Sequence, residues 1–188
     1  MHWDELFADL EAQFNELGSA AFEADVAERT WVEQSRIRLV DRLRASLGET
    51  VAVSVSGSDE PVVGQIDRVG VDWLLLRAGA GAETVVCLPA VTSVTGEVSA
   101  RAEDPAAAHA QIRLGLGHVL RGLSLDRTAV TLMLRSGGLV AGTVDRVGID
   151  HLDLAEHERG APRRRPELRR VRVIPFHAVA VVRPHPDR

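Results

Sequence analysis

The chain has 188 residues, enough for one or two domains with a real core. Hydrophobic residues make up 45% and charged residues 26%, ordinary globular values. No apolar run approaches the roughly 18 residues that span a bilayer, and a net charge of -5 argues against a dedicated nucleic-acid-binding domain.

The start, Met1-His2-Trp3-Asp4-Glu5, has no basic n-region and no apolar h-region, so it does not read as a secretory signal. Residues 2–17 read as an amphipathic helix. Trp3, Leu6, Phe7, Leu10, Phe14 and Leu17 recur at steps of three and four and form one stripe. Acidic residues fill the other face: residues 1–28 carry eight acidic side chains and no basic one. Gly18 and Ser19 supply a stop and a new cap. A second helix is expected from about Ala20 to Leu47, ended by Gly48.

From Thr50 the period changes to two. Val51, Val53 and Val55 alternate with small or polar residues, which predicts a strand. A turn at residues 57–61 leads to strands over about Val62–Val69 and Asp72–Leu76, joined across Gly70. After a turn at Gly79-Ala80-Gly81, Val85–Cys87 and Val91–Val94 complete the segment. Cys87 is the only cysteine, which excludes an intramolecular disulfide and fits a reducing compartment. The expected location is the cytoplasm.

The pattern then repeats. Residues 62–76, VVGQIDRVGVDWLLL, match residues 140–154, VAGTVDRVGIDHLDL. Gly64, Asp67-Arg68-Val69-Gly70, Asp72, Leu74 and Leu76 all recur 78 positions later, which chance explains poorly. Val51, Val53 and Val55 answer to Val130, Leu132 and Leu134; residues 87–91 answer to 175–179. A lead-in helix is expected from Pro105 to Leu125, weakened by Gly115, Gly117 and Gly122. The second repeat carries a longer, arginine-rich hairpin. Residues 158–188 hold nine arginines against Glu158, Glu167 and Asp187.

The helix, the Val51-Val53-Val55 alternation, Gly64-x-Ile66 and Asp72-x-Leu74-x-Leu76 together resemble the Sm-like small barrel within the SH3-like class. The whole chain, through WDELFADLEAQF and the DRVG-x-D elements, resembles a group of uncharacterised actinobacterial proteins often labelled "Fis family transcriptional regulator". The first resemblance implies two small closed barrels. The second implies a C-terminal helix-turn-helix, whereas Val171-Arg172-Val173-Ile174-Pro175 reads as strand. Sm-type uridine binding uses an Asn in the third strand's loop and an Arg-Gly pair near the last strands. Trp73 and His151 stand before Leu74 and Leu152, and no such Arg-Gly pair is present, so that site does not carry over.

The expected fold is therefore α+β: N-terminal helices, then two tandem small β-barrels of the SH3-like or Sm-like kind, each preceded by a helix. The boundaries are a helical arm over 1–48, repeat 1 over 49–98, a linker and helix over 99–126, and repeat 2 over 127–188. No catalytic residues, cofactor or metal are expected. Asp67-Arg68 and Asp145-Arg146 read as structural, since the pair recurs in both units. His151-x-Asp153 shares a strand face with His157 nearby but matches no zinc spacing. The expected function is a non-catalytic protein-interaction or assembly module that self-associates or binds a partner protein through Trp3, Leu6, Phe7, Leu10, Phe14, Leu17, Trp73 and Leu75. Parity marks Trp73 and Leu75: Leu74 and Leu76 point inward, so their neighbours point outward, where repeat 2 places His151 and Asp153; a helix of the same chain, the other barrel or a partner is expected to cover the pair. The alternative is a nucleic-acid-associated regulator, binding weakly through Arg163, Arg164, Arg165, Arg169 and Arg170.

Overall fold

Alternating valines and leucines build strands at nearly every place where the period is two. The computed structural model describes residues 35–101, 114–156 and 171–185. The chain divides into two units, residues 1–38 and 39–188, and the elements below belong to the second. They are α1 (Leu39–Arg44) and strands β1 (Thr50–Val55), β2 (Val62–Val69), β3 (Trp73–Arg77), β4 (Glu83–Cys87) and β5 (Val91–Gly96) in the first repeat. The second repeat contributes α2 (Leu116–Leu125), β6 (Ala129–Leu134), β7 (Leu139–Val147), β8 (His151–Glu156), β9 (Val171–Pro175) and β10 (Val179–His185).

The expectation of two closed barrels in an α+β chain is overturned. The ten strands form one open antiparallel sheet in the order β5-β1-β2-β3-β4-β10-β6-β7-β8-β9. Closure was expected because an unpaired strand edge is a liability. The chain meets that need differently. Each repeat lays out its strands in the same internal order, and β4 of the first pairs with β10 of the second, so one edge of each repeat covers the other.

The helices also differ from expectation. Within the described part of the helix expected over 20–47, α1 spans only Leu39–Arg44. Of the helix expected over 105–125, residues 105–113 lie outside the described residues; α2 runs over Leu116–Leu125, and Gly115 before it is extended, with φ -79° and ψ 172°. Gly117 packs closely on Phe176, where a Cβ would stand 3.2 Å from the ring.

Side chains directly opposite one another in paired strands share a face of the sheet. In repeat 1 the core face carries Val51, Val53, Ile66, Leu74, Leu76 and Val86, all buried. Across the junction Val86 faces Val181 and Val85 faces Val182. Val182 in turn faces Leu132, which belongs to the core of repeat 2 with Val144, Leu152, Leu154 and Ile174. The core therefore changes sides of the sheet at β4·β10. Val85, Val86, Val181 and Val182 are buried on both faces and join the two half-cores into one cluster. Full burial of each such side chain contributes about 1.5–3 kcal/mol.

The Asp-Arg pairs that recur in both repeats mark matching β-bulges. The register skips between Ile66 and Arg68 against Leu76 and Leu75, and between Val144 and Arg146 against Leu154 and Asp153. Asp67 and Asp145 are the extra residues, and a bulge of this kind bends and twists its strand. Asp67 also accepts from Arg77 at 3.0 Å, which in turn reaches Glu83.

Candidate protein-interaction site

Around Trp73 the outer face of repeat 1 is covered by the chain itself. Trp73 is 4% exposed, and its indole N–H donates to the Leu114 carbonyl at 2.9 Å. Next to it, Asp72 Oδ1 accepts from the backbone N–H of Leu116 at 2.8 Å. A carboxylate in this position satisfies one of the orphan donors at the start of α2 and suits the positive end of its dipole. Gly70 lies against the Trp73 indole, with which a Cβ on it would collide. The corner Gly70-x-Asp72-Trp73 thus holds the head of the helix that leads into repeat 2.

The same corner exists in repeat 2 with different contents. Gly148 lies under the His151 ring in the same way. His151 Nδ1–H donates to Asp150 Oδ1 at 2.8 Å. That hydrogen bond, with smaller contributions from the charges of His151 and His177, holds the Asp150 carboxyl below its usual range. Among the described residues no helix starts on this corner. The Asp150 and His151 side chains are 82% and 43% exposed.

The helices that precede the two repeats are counterparts residue by residue, a match the sequence reading missed. Leu39, Leu43 and Arg44 of α1 match Leu116, Leu120 and Arg121 of α2. Leu43 and Leu120 are both fully buried. Arg44 Nη2 donates to Gly70 O at 3.0 Å, and Arg121 Nη2 to Gly148 O at 3.4 Å. The seventy-seven-residue spacing of Leu-x-x-x-Leu-Arg was the available signal.

Two strand edges are unpaired among the described residues, those of β5 and β9. They are the counterparts of β10 and β4, which pair at the junction. Position by position, Val173 answers to Val85 and Ile174 to Val86, while Ser93 and Val94 answer to Val181 and Val182. Val85 is 5% exposed and Val173 is 61% exposed. Arg172, the charged residue of β9, forms an ion pair with Glu156 on the neighbouring strand.

Of the residues expected to form an interface, Trp73 is buried within its own chain and Leu75 is half-buried on the same face. Trp3, Leu6, Phe7, Leu10, Phe14 and Leu17 lie outside the described residues, as do Arg163, Arg164, Arg165, Arg169 and Arg170. Cys87 lies buried on the face of Trp73; burial, and then the negative charge of Asp72, push its thiol up to about 12. Among the described residues no three His, Cys, Asp or Glu side chains gather as metal ligands. No helix among them is long and apolar enough to cross a membrane.

The chain is an internally duplicated protein built on one open, all-antiparallel sheet. No protein-family model matches the chain, and no curated protein matches it.

Proposed function

We propose that this chain is a non-catalytic assembly module that binds polypeptide through its outer strand edge. One observation supports the reading above the others. β9 carries Val173 in the open, at the position where β4 buries Val85 against a paired strand. Edge strands left to solvent are ordinarily blunted by charged side chains, proline or a covering loop. On β9 the charge of Arg172 is taken by Glu156, the one proline, Pro175, is the strand's last residue, and Val171 and Val173 remain exposed. A strand added here would gain main-chain hydrogen bonds along its length and an apolar contact at Val173, the usual combination in strand-addition binding.

The test is retention from native lysate by the full chain and by two single variants. Val173→Arg places a charge at the edge. Leu125→Arg changes an exposed leucine at the end of α2. The proposal expects a polypeptide that the unaltered chain and Leu125→Arg both retain and Val173→Arg loses. An identical set of bound proteins for all three defeats it. Salt-dependent retention on heparin that is indifferent to Val173→Arg would instead favour binding by the arginine hairpin.

A further inference from the structure

The outer edge of β9 is the docking site for the outer edge of β5 on a second copy of the same chain; we infer this from the duplication, and it rests on the reading of β9 as a binding edge. The molecule already contains one instance of the contact. At β4·β10 the last-but-one strand of one repeat pairs with the last strand of the next, Val86 opposite Val181 and Val85 opposite Val182. β9 and β5 are the same two strands of the two repeats, and they face outward at opposite ends of the sheet. Carrying the observed register over places Ile174 opposite Ser93 and Val173 opposite Val94 of the second copy.

This pairing accounts for the identity of Val173. It lies on the outer face of repeat 2, opposite Asp153, where a polar residue would be expected. Val85 occupies the same outer face of repeat 1 and is apolar because, across the junction, that face becomes the core of the neighbouring repeat. Val94 packs on the core of its own repeat. Pairing with it would carry Val173 into the second copy's core, as pairing with Val182 carries Val85. The receiving strand suits the role. β5 reads VTSVTG, rich in β-branched residues and without charge or proline. Leu39 agrees: it is 43% exposed, whereas its counterpart Leu116, docked on Asp72 of the other repeat, is 3% exposed.

The outer contact is more polar than the inner one. His151 stands for Trp73, Asp153 for Leu75 and Ser93 for Val181. The association is therefore weaker than the internal junction and dissociates on dilution. It is also head-to-tail, so the two patches in contact are different, and that property makes it testable.

Sedimentation velocity on the full chain should show species heavier than the 20.4 kDa monomer, in a fraction that rises with concentration. Val173→Arg alone and Ser93→Arg alone should each abolish them, since each variant has lost one of the two patches. An equimolar mixture of the two variants should recover a dimer and nothing larger, because one intact β9 and one intact β5 remain. A second arm guards against misfolding. Val94→Cys mixed with Val173→Cys under mild oxidation should yield a cross-linked dimer that neither variant forms alone. A chain that stays monomeric throughout overturns the inference, as does a mixture that does not recover. If Ser93→Arg still associates, or Val173→Cys cross-links to itself, β9 pairs with a different strand. If Val173→Arg loses a different protein from lysate while the purified chain remains monomeric, the binding edge stands and self-association falls.

Discussion

The two repeats share their internal framework and differ on their outer faces. Gly70 and Gly148 each lie under an aromatic ring, Asp67 and Asp145 each form a bulge, and Arg44 and Arg121 each cap the turn carbonyl beneath them. These positions serve each repeat's own fold, so both copies keep them. Trp73 and Leu75 against His151 and Asp153 lie on the outer face, where Trp73 is buried in repeat 1 and both His151 and Asp153 are half-buried in repeat 2. Divergence within a duplicated sequence therefore records which surfaces are covered.

The comparison breaks most sharply at the aromatic corner. Trp73→Ala should cost about 3–5 kcal/mol, the usual range for emptying a buried tryptophan site. His151→Ala should cost less than about 1 kcal/mol, because its ring is half open to water. Urea unfolding of both variants decides it; equal losses would mean the two corners are equivalent after all.

The turn glycines come next. Gly57 has φ +85°, and a Cβ on it would stand 2.6 Å from both Gly137 N and Leu134 O, where the first turn of repeat 1 rests on that of repeat 2. Gly57→Ala should cost roughly 2 kcal/mol or more from strain and collision together. Gly48 has the same handedness, φ +89°, with nothing within 4 Å. Gly48→Ala should therefore cost only the conformational part, about 1 kcal/mol. Thermal midpoints that fall equally would show that the two turns do not press on each other.

A smaller effect separates the two aspartates. Asp72→Ala removes the acceptor for the first turn of α2 and should cost about 1–2 kcal/mol, with faster amide exchange at Leu116. Asp150→Ala has no helix to release and should be close to neutral.

Titration gives the smallest signals. Burial raises the Cys87 thiol from about 9 to about 12. A raised acid is stabilising in its neutral form, so its contribution is complete below pH 9 and is lost as pH climbs toward 12. Iodoacetamide at pH 8 should label Cys87 only as fast as the chain opens. Asp150 is shifted the other way, so its contribution is present above the usual carboxylate range and is lost as pH falls through its lowered value. NMR should find its carboxyl titrating low, and His151→Ala should move it back up. Since the group is open to solvent, stability should scarcely follow.

Much of this framework was legible in the sequence. The period-two alternation located the strands, and the inward parity of Leu74, Leu76, Leu152 and Leu154 is matched by their burial. The recurrence of Asp-Arg-Val-Gly revealed the duplication but not that its aspartate is a bulge, since a bulge changes the register without changing the pattern. The continuous sheet was not legible. Val85 and Val86, like Val181 and Val182, are apolar on both faces, and a run of valines reads the same in a closed barrel core as in a strand buried between two repeats. Gly115 interrupts the helix expected over 105–125, and the docking of Leu114 and Leu116 on Asp72 and Trp73 depends on contacts far apart in sequence.

β10 has a kinetic consequence. The strand that completes the first repeat's edge is the last of the described strands to be made. While the ribosome works through the second repeat, β4 must wait with its backbone unsatisfied, ready to accept any stray strand that reaches it first. Long-range closures of this kind fold slowly. Once β10 is in place, neither half can open without uncovering the other's valines, so unfolding should follow a single transition rather than two.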